Sequence, residues 1–464
     1  MSDEPKVLER EDTGLQEALW REPAAAQVPA VARGKSLPET LVPDAGQQTH
    51  AVGQRVTRPD CRLHVLGETR YIDDLSFPGM LYARIKRAGI ASARIKRIDV
   101  SAAKAMPGVM AVMTGRDIAV NSFGPSFQDQ PVLADEIVRH AGDGVAAVAA
   151  VTEQIANEAL EKIVVAYEPL PAVFDPREAM REDAPKVHAP NSNIYATKVI
   201  RKGDVAAGFA KSDRIFEGTY STQMVEHVPL EPHAAIADWD ANGRLSVWAT
   251  IGRITLARAD LARTLKLPMN RVRLIGTIVG GNFGGKNEIS QEPALAILSK
   301  MSGRPVKGLF TREEEFIATT TRHPIIMDYK TGVTKDGRIL ARKIRLILDG
   351  GAYCSWSETT LGKACILAPG PYRIDNVLAE AYVVYTNKTM TGAMRGFGAP
   401  QVCFAYESQM DEIAHELGID PLEIRLRNVF AEGSSSPTGQ VLHSVVVKES
   451  LLQAAARFGW EAQR

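Results

Sequence analysis

Cysteine is scarce in this sequence: Cys61, Cys354, Cys365 and Cys403 are all there is, and no two stand in a C-x-x-C pair. That spacing excludes a four-cysteine iron–sulfur or zinc site within the chain and fits a reducing compartment, the cytoplasm. A glycine fingerprint of the G-x-G-x-x-G type with an acid downstream is also missing, which argues against a dinucleotide domain. No run of about 18 apolar residues could serve as a membrane span. Charge of neither sign dominates, with 55 Lys plus Arg against 55 Asp plus Glu, so no overall field points to nucleic acid or a membrane surface. Met1-Ser2-Asp3-Glu4 does not open a secretion signal. What remains is an ordinary globular composition, 45% hydrophobic and 24% charged over 464 residues, with room for two or three domains.

Glycine carries the chemistry. Gly280-Gly281-Asn282-Phe283-Gly284-Gly285-Lys286 follows a β-branched run, Arg271 to Val279, that reads as a strand. It precedes Glu288 to Met301, which reads as a helix with Pro293 near its first turn and Gly303 as its stop. Four glycines remove Cβ from the turn and let backbone N–H groups face an anion at a helix start. Phe283 is then packed under the loop or laid against a ligand. Gly280 to Lys286 also fits the opening of a P-loop, but Asn287 stands where Ser or Thr would hold Mg²⁺. Arg345 to Asp349 could supply the acidic strand of such a nucleotide-binding protein. A plain structural turn is the third reading, although one does not need so many small residues around one aromatic.

A second loop, Arg395-Gly396-Phe397-Gly398-Ala399-Pro400-Gln401, repeats the pattern of glycines around one Phe, and a helix is expected from Val402 to Glu416. Two such loops suggest one ligand held from two sides. Both resemble the molybdenum-binding chain of the xanthine dehydrogenase and aldehyde oxidase family, with its G-G-x-F-G-G-K and R-G-F-G-x-P-Q motifs. Tyr167-Glu168-Pro169-Leu170-Pro171-Ala172-Val173 resembles the hammerhead domain of the same family.

The resemblance implies an α+β fold. Residues 1–50, rich in Ala, Pro, Glu and Gln, read as a disordered extension. A hammerhead domain over 51–180, a linker over 181–193 and the first half of a molybdopterin-binding domain over 194–464 follow. It implies a molybdenum–molybdopterin cofactor, in a cytosine dinucleotide form or not, contacted by Gly281, Asn282, Phe283, Gly284, Arg395, Gly396, Phe397 and Gly398. The metal would sit near Phe283 and Arg395, bound through the pterin with no side-chain ligand. The family hydroxylates an electron-poor carbon, of an aldehyde or N-heteroaromatic ring, with oxygen derived from water. Its electrons leave through 2Fe-2S clusters to FAD, and neither centre has a motif in this chain, so both would sit on partner subunits.

Several positions depart from the family. Arg139 to Val145 replaces its usual V-G-E-P-V-A. Gly252, in Thr250-Ile251-Gly252-Arg253, falls where the family has a Gln that bonds an oxygen ligand of the metal. A water or another residue, Arg253 among them, would replace it. Asn287 and Lys363 match substrate-facing positions that hold an acid and an arginine in purine-oxidising members, and Phe397 would face the substrate too. Lys363 could equally be a solvated surface lysine. Glu226, His227 and Glu231 match an E-H-x-x-x-E phrase of the family framework; a metal site made with His233 is disfavoured, because two prolines interrupt the segment. The family's general-base glutamate has no counterpart, since Glu68 belongs to a G-E-x-R-Y phrase, and is expected on a partner chain. A split subunit, completed by a second molybdopterin-binding chain, is the expectation.

Overall fold

The computed structural model describes residues 57–463. The extension expected over 1–50 lies outside them. The chain divides into two compact units between Thr69 and Arg70. The described part of the first holds a short helix, Cys61–Val65, with no buried side chain.

The second unit contains three sheets with helices packed against them, the α+β arrangement expected. A seven-stranded sheet runs in the order Val272–Gly276, Leu245–Ala249, Ala234–Trp239, Val306–Leu309, Leu81–Arg87, Gly144–Ala150, Val109–Thr114. Gly144–Ala150, sequence Gly-Val-Ala-Ala-Val-Ala-Ala, is buried on both faces. Because successive side chains point to opposite faces, Ala147 and Ala149 join the core of Leu295, Leu298 and Leu261, while Ala146 and Val148 meet Ala103, Ala159 and Ile163. Alanines at these positions let helices lie close on either side. The parallel pairing of Leu81 with Val306 joins strands from the 51–180 segment to strands from the 194–464 segment. That division is therefore one of sequence, and a hydrogen-bonded ladder crosses it.

A five-stranded sheet runs Ile194–Lys202, Asn376–Tyr385, Ile339–Gly351, Ile325–Val333, Arg214–Ser221. Its central hairpin turns at Lys335-Asp336-Gly337, with Gly337 at φ 81°. Helices Ser357–Leu367 and Ala399–Leu417 bury Leu361, Ala364, Val402 and Ala405 against Ile344, Leu346, Leu348 and Val383. Each such large aliphatic contributes about 1.5–3 kcal/mol by leaving water. The third sheet, Ile137–Val138, Ala93–Asp99 and Val164–Pro169, belongs to the first segment. Helix Glu292–Ser302 starts four residues later than expected, with Pro293 in its first turn and Gly303 capping it at φ 66°. The delay has a cause: Gln291 spends its side chain on the carbonyls of His233 and Gly308, and Glu288 turns to Ser355.

Candidate cofactor site

The strand Val272–Gly276 runs into the first glycine loop, and Ala399–Leu417 leaves the second. The two loops adopt the same unusual backbone. Phe283 and Phe397 both sit at φ 51°, flanked by Gly281 (106°) and Gly284 (111°) in one loop and Gly396 (101°) and Gly398 (82°) in the other. Phenylalanine rarely adopts positive φ, so each loop holds about 1–3 kcal/mol of backbone strain. The loops lie against each other. Arg395 N–H donates to the carbonyl of Phe283 at 2.8 Å, across 111 intervening residues of chain. Among the described residues, the N–H groups of Gly281, Asn282, Phe283, Gly396 and Gly398 have no protein acceptor.

The other loop atoms are tied inward. Asn282 Oδ1 accepts from Gly284 N at 2.9 Å and Lys286 N at 3.2 Å, which caps the turn. Glu231 Oε2 accepts from Gly280 N at 2.7 Å. Lys286 is fully buried, donating to the Glu231 carbonyl at 2.6 Å and pairing with its carboxylate at 3.3 Å. Burial pulls the pKa of Lys286 below the ordinary lysine range, and Glu231 opposes that. A P-loop lysine reaches outward to phosphate; this one is turned away. Asp349, the acid of the nucleotide reading, is likewise occupied by Lys388 at 2.8 Å and Thr386 at 2.6 Å.

Two histidines support the loops from beneath. His227 Nε2 donates to Ala393 O at 2.7 Å, and burial lowers its pKa, so it is a neutral tautomer with Nδ1 bare. His233 contacts Gly285 O through Nε2 at 3.1 Å and Glu315 through Nδ1 at 2.9 Å. Burial disfavours its charge, but Glu315 outweighs burial and raises the pKa, so His233 is the cation of an enclosed ion pair. These residues are framework, tying each loop to the sheet behind it; among the described residues no cluster of three or more His, Cys, Asp or Glu could hold a metal.

Loop two is held by Arg322, which donates to Arg395 O at 3.1 Å, and Gln401, which donates to His323 O at 3.1 Å. A Cβ on Gly398 would stand 2.8 Å from Ala364 Cβ, so this glycine lets the loop lie on helix Ser357–Leu367. That contact brings exposed Lys363 over the Phe397 ring, 5.8 Å from its centroid. Asn287 stands by loop one instead, beside Gly252. Gly252 is accounted for by its neighbour: a Cβ there would fall 2.3 Å from Asn282 Nδ2. The Asn282 amide thus fills the space a side chain at 252 would need. Arg253 lies over the Trp356 ring at 4.5 Å.

Several of the buried polar atoms without a partner, which no sequence pattern marks, lie around these loops. Among them are His227 Nδ1, Glu231 Oε1, Glu288 Oε2, Thr320 Oγ1, His323 Nδ1 and Trp356 Nε1. A buried polar atom left unpaired costs about 1–3 kcal/mol, so such a group marks a place built for something more than itself. Glu288 is buried beside loop one, and burial pushes its carboxyl up to about 7. Only its place after a lysine in a glycine loop hinted at this.

The fold and the paired loops form a candidate cofactor site, and the comparisons with known proteins give its class. The description "Molybdopterin cofactor-binding domain" fits residues 187–429, and "Aldehyde oxidase and xanthine dehydrogenase, a/b hammerhead domain" fits residues 66–171. The chain belongs to the xanthine dehydrogenase and aldehyde oxidase family of molybdenum hydroxylases, a family of oxidoreductases. It is 38% identical over 425 residues to the nicotinate dehydrogenase large molybdopterin subunit of Eubacterium barkeri, across 90% of this chain and 100% of that protein. It is 34% identical over 427 residues to the xanthine dehydrogenase molybdenum-binding subunit of Escherichia coli, across 88% of this chain but 56% of the relative. Among solved structures, the aldehyde oxidoreductase of Desulfovibrio gigas matches with a TM-score of 0.84 at 31% identity, over 87% of this chain and 46% of that one. Apart from the nicotinate dehydrogenase subunit, the chain spans about half the length of these relatives. Among the described residues no helix is long and apolar enough to cross a membrane.

The residues present fit a molybdopterin. Bare N–H groups suit its oxygens and phosphate, glycines allow its close approach, and the orphaned polar atoms supply partners.

Proposed function

We propose that this chain is the molybdopterin-binding subunit of a cytoplasmic molybdenum hydroxylase acting on an electron-poor carbon of an N-heteroaromatic ring. The observation that carries this reading is the interlocking of the two positive-φ glycine loops at Phe283 and Arg395. The bound group supplies a two-electron oxidation with insertion of oxygen derived from water. Gly281, Asn282, Phe283, Gly396 and Gly398 offer it backbone N–H donors, Gly284 sets the spacing of the loops, and Phe283 and Phe397 provide aromatic faces.

The substrate reading rests on Asn287 and Lys363. A neutral amide in place of an acid and a cation above Phe397 favour an anionic ring, a pyridine carboxylate, over a neutral purine. Lysine pairs with a carboxylate as a point charge rather than a planar fork. Lys363→Gln should therefore raise KM for nicotinate by roughly tenfold, the size of one charge-assisted contact, while KM for benzaldehyde stays unchanged. Equal loss for both substrates, or turnover of xanthine that matches nicotinate in the parent enzyme, would remove the carboxylate role.

A second molybdopterin-binding chain, which would bring the general-base glutamate, and 2Fe-2S and FAD subunits complete the proposal, with the cytosine dinucleotide form of the pterin. Full-length coverage of a large molybdopterin subunit supports a divided enzyme. So does the surface beside loop one. Pro229 and Phe283 flank Gly281, and next to them Leu230 is 92% exposed and Val228 half exposed. Large apolar side chains in that position mark a covered face. The chain should be purified alone and with co-expressed partners, then assayed for molybdenum and for hydroxylation with an artificial electron acceptor. Molybdenum and turnover are expected in the complex only. Steady turnover by the isolated chain would refute the divided site, and a complex free of molybdenum would refute the function.

A further inference from the structure

At the outer edge of the seven-stranded sheet a cavity of about 490 Å³ opens. Its walls are the turn before strand Leu245–Ala249, the start of helix Ile254–Thr264 and the edge strand Val272–Gly276. Four arginines line it: Arg244, Arg258, Arg271 and Arg273. None of the lining residues belongs to either glycine loop.

Positive charge dominates this cavity, with four guanidinium groups against one carboxylate. Asp240 is the one acid in the lining, and its Oδ1 is taken by the N–H groups of Asn242 and Arg244, both at 2.9 Å. Among the described residues none of the four arginines forms an ion pair, whereas Arg263 on the same helix pairs with Asp260 at 3.4 Å. Overall composition does not explain the cluster, because the chain carries equal numbers of basic and acidic residues. Guanidinium cannot shed its proton to relieve the crowding. Four like charges around one space raise each other's energy; the Asp240 carboxylate offsets one of them, and a bound anion would offset the rest.

Two of the four are fixed in place. Arg258 donates through Nε to Val272 O at 2.8 Å and through Nη2 to Met269 O at 2.5 Å, which leaves Nη1 free. Arg271 donates through Nη1 to Asn242 O at 2.8 Å, which leaves Nε and Nη2. Arg244 and Arg273 are exposed and have no side-chain partner among the described residues, so their forks are unspent. Ser246, Thr255 and Asn270 add uncharged donors to the wall. The volume falls in the range of about 300–1,000 Å³ usual for small-molecule sites.

We propose that this cavity is a binding site for a compact diphosphate-bearing anion. Two phosphate groups match the two open forks of Arg244 and Arg273, with the N–H groups that Arg258 and Arg271 have left adding further contacts, and the volume leaves room for a nucleoside beside them. The site is separate from the cofactor loops and its existence does not depend on the proposed reaction.

The test is titration calorimetry on the full chain co-purified with its partners, using pyrophosphate, ADP and sulfate. Saturable binding of pyrophosphate and ADP is expected, with sulfate weaker by at least about tenfold. ADP binding well above pyrophosphate assigns a nucleoside diphosphate; comparable binding assigns the diphosphate group itself. The double variant Arg244→Gln/Arg273→Gln should lose at least about tenfold in affinity for both. Its melting temperature should not fall, since neither side chain has a partner to lose and two like charges leave the cluster. Arg201→Gln, an exposed arginine on the other large sheet, should bind as the parent does. Sulfate binding as tightly as pyrophosphate, no saturable binding at all, or an unchanged affinity in the double variant would overturn the proposal.

Discussion

Gly284→Val is expected to leave the purified enzyme with less than about a tenth of its molybdenum, because the substitution forces apart the two loops that form the cradle. Gly284 sits at φ 111°, where a β-branched residue has no comfortable conformation. A Cβ there would stand 2.4 Å from Ala393 O, 2.8 Å from Ala393 C and 3.2 Å from Met394 Cα. All three are backbone atoms, so no side-chain rotation relieves the overlap. Ala393 O also receives the His227 hydrogen bond, and Arg395, two residues on, makes the bond to Phe283. Moving residue 393 therefore strains the Arg395–Phe283 bond that ties the loops and leaves His227 without its acceptor. Gly362→Ala is the control, since nothing lies within 4 Å of its Cβ position and it sits in a helix. Metal analysis of both variants, beside their melting temperatures, decides the matter. A full complement of molybdenum in Gly284→Val would show that the seam between the loops does not hold the cofactor.

The strands and helices with strong local signals were legible. Val109–Thr114 was placed to the residue, and the hairpin at Lys335-Asp336-Gly337 followed from its turn chemistry. Five strands have no such signal: Ile137–Val138, Ile194–Lys202, Ala234–Trp239, Val306–Leu309 and Asn376–Tyr385. Ala234–Trp239 is alanine-rich and has weak intrinsic strand preference; it becomes a strand because Val306–Leu309 and Leu245–Ala249 flank it on both sides. Long-range pairing of that kind, like Leu81 with Val306, leaves no mark in either local segment. The loops themselves are legible because glycine recurs where φ runs from 82° to 111°, angles that side chains rarely allow. What lay beyond reach was the direction of each side chain. Lys286 reads as a phosphate-binding cation and is instead buried against Glu231, while the fit between Gly252 and Asn282 joins residues that lie far apart in the chain.

Glu288→Gln should stabilise the protein at pH 8 and have little effect near pH 4.5. Glu288 is buried, its Oε1 accepting from Ser355 Oγ at 2.5 Å and its Oε2 unpaired. Burial raises its carboxyl to about 7; the Ser355 bond opposes this, and the nearby Asp260 and Asp129 carboxylates add to it. The unfolded chain releases this proton near the ordinary glutamate value of about 4.3, while the folded chain keeps it until about 7. Between those values the native state binds more protons than the unfolded state, so stability falls as pH rises through the window and the loss is complete above it. The size is roughly 3 kcal/mol, from a shift of about two and a half pH units. Glutamine retains an oxygen for Ser355 and carries no charge, so it escapes the penalty. Asp129, raised to about 6 by burial, keeps a smaller slope of the same sign in the variant. Denaturant unfolding of both proteins at pH 4.5, 6 and 8 measures the difference. An equal change in stability at all three values would mean that Glu288 does not hold its proton in the native state, and that the charge is met by a partner the enclosed carboxylate already has.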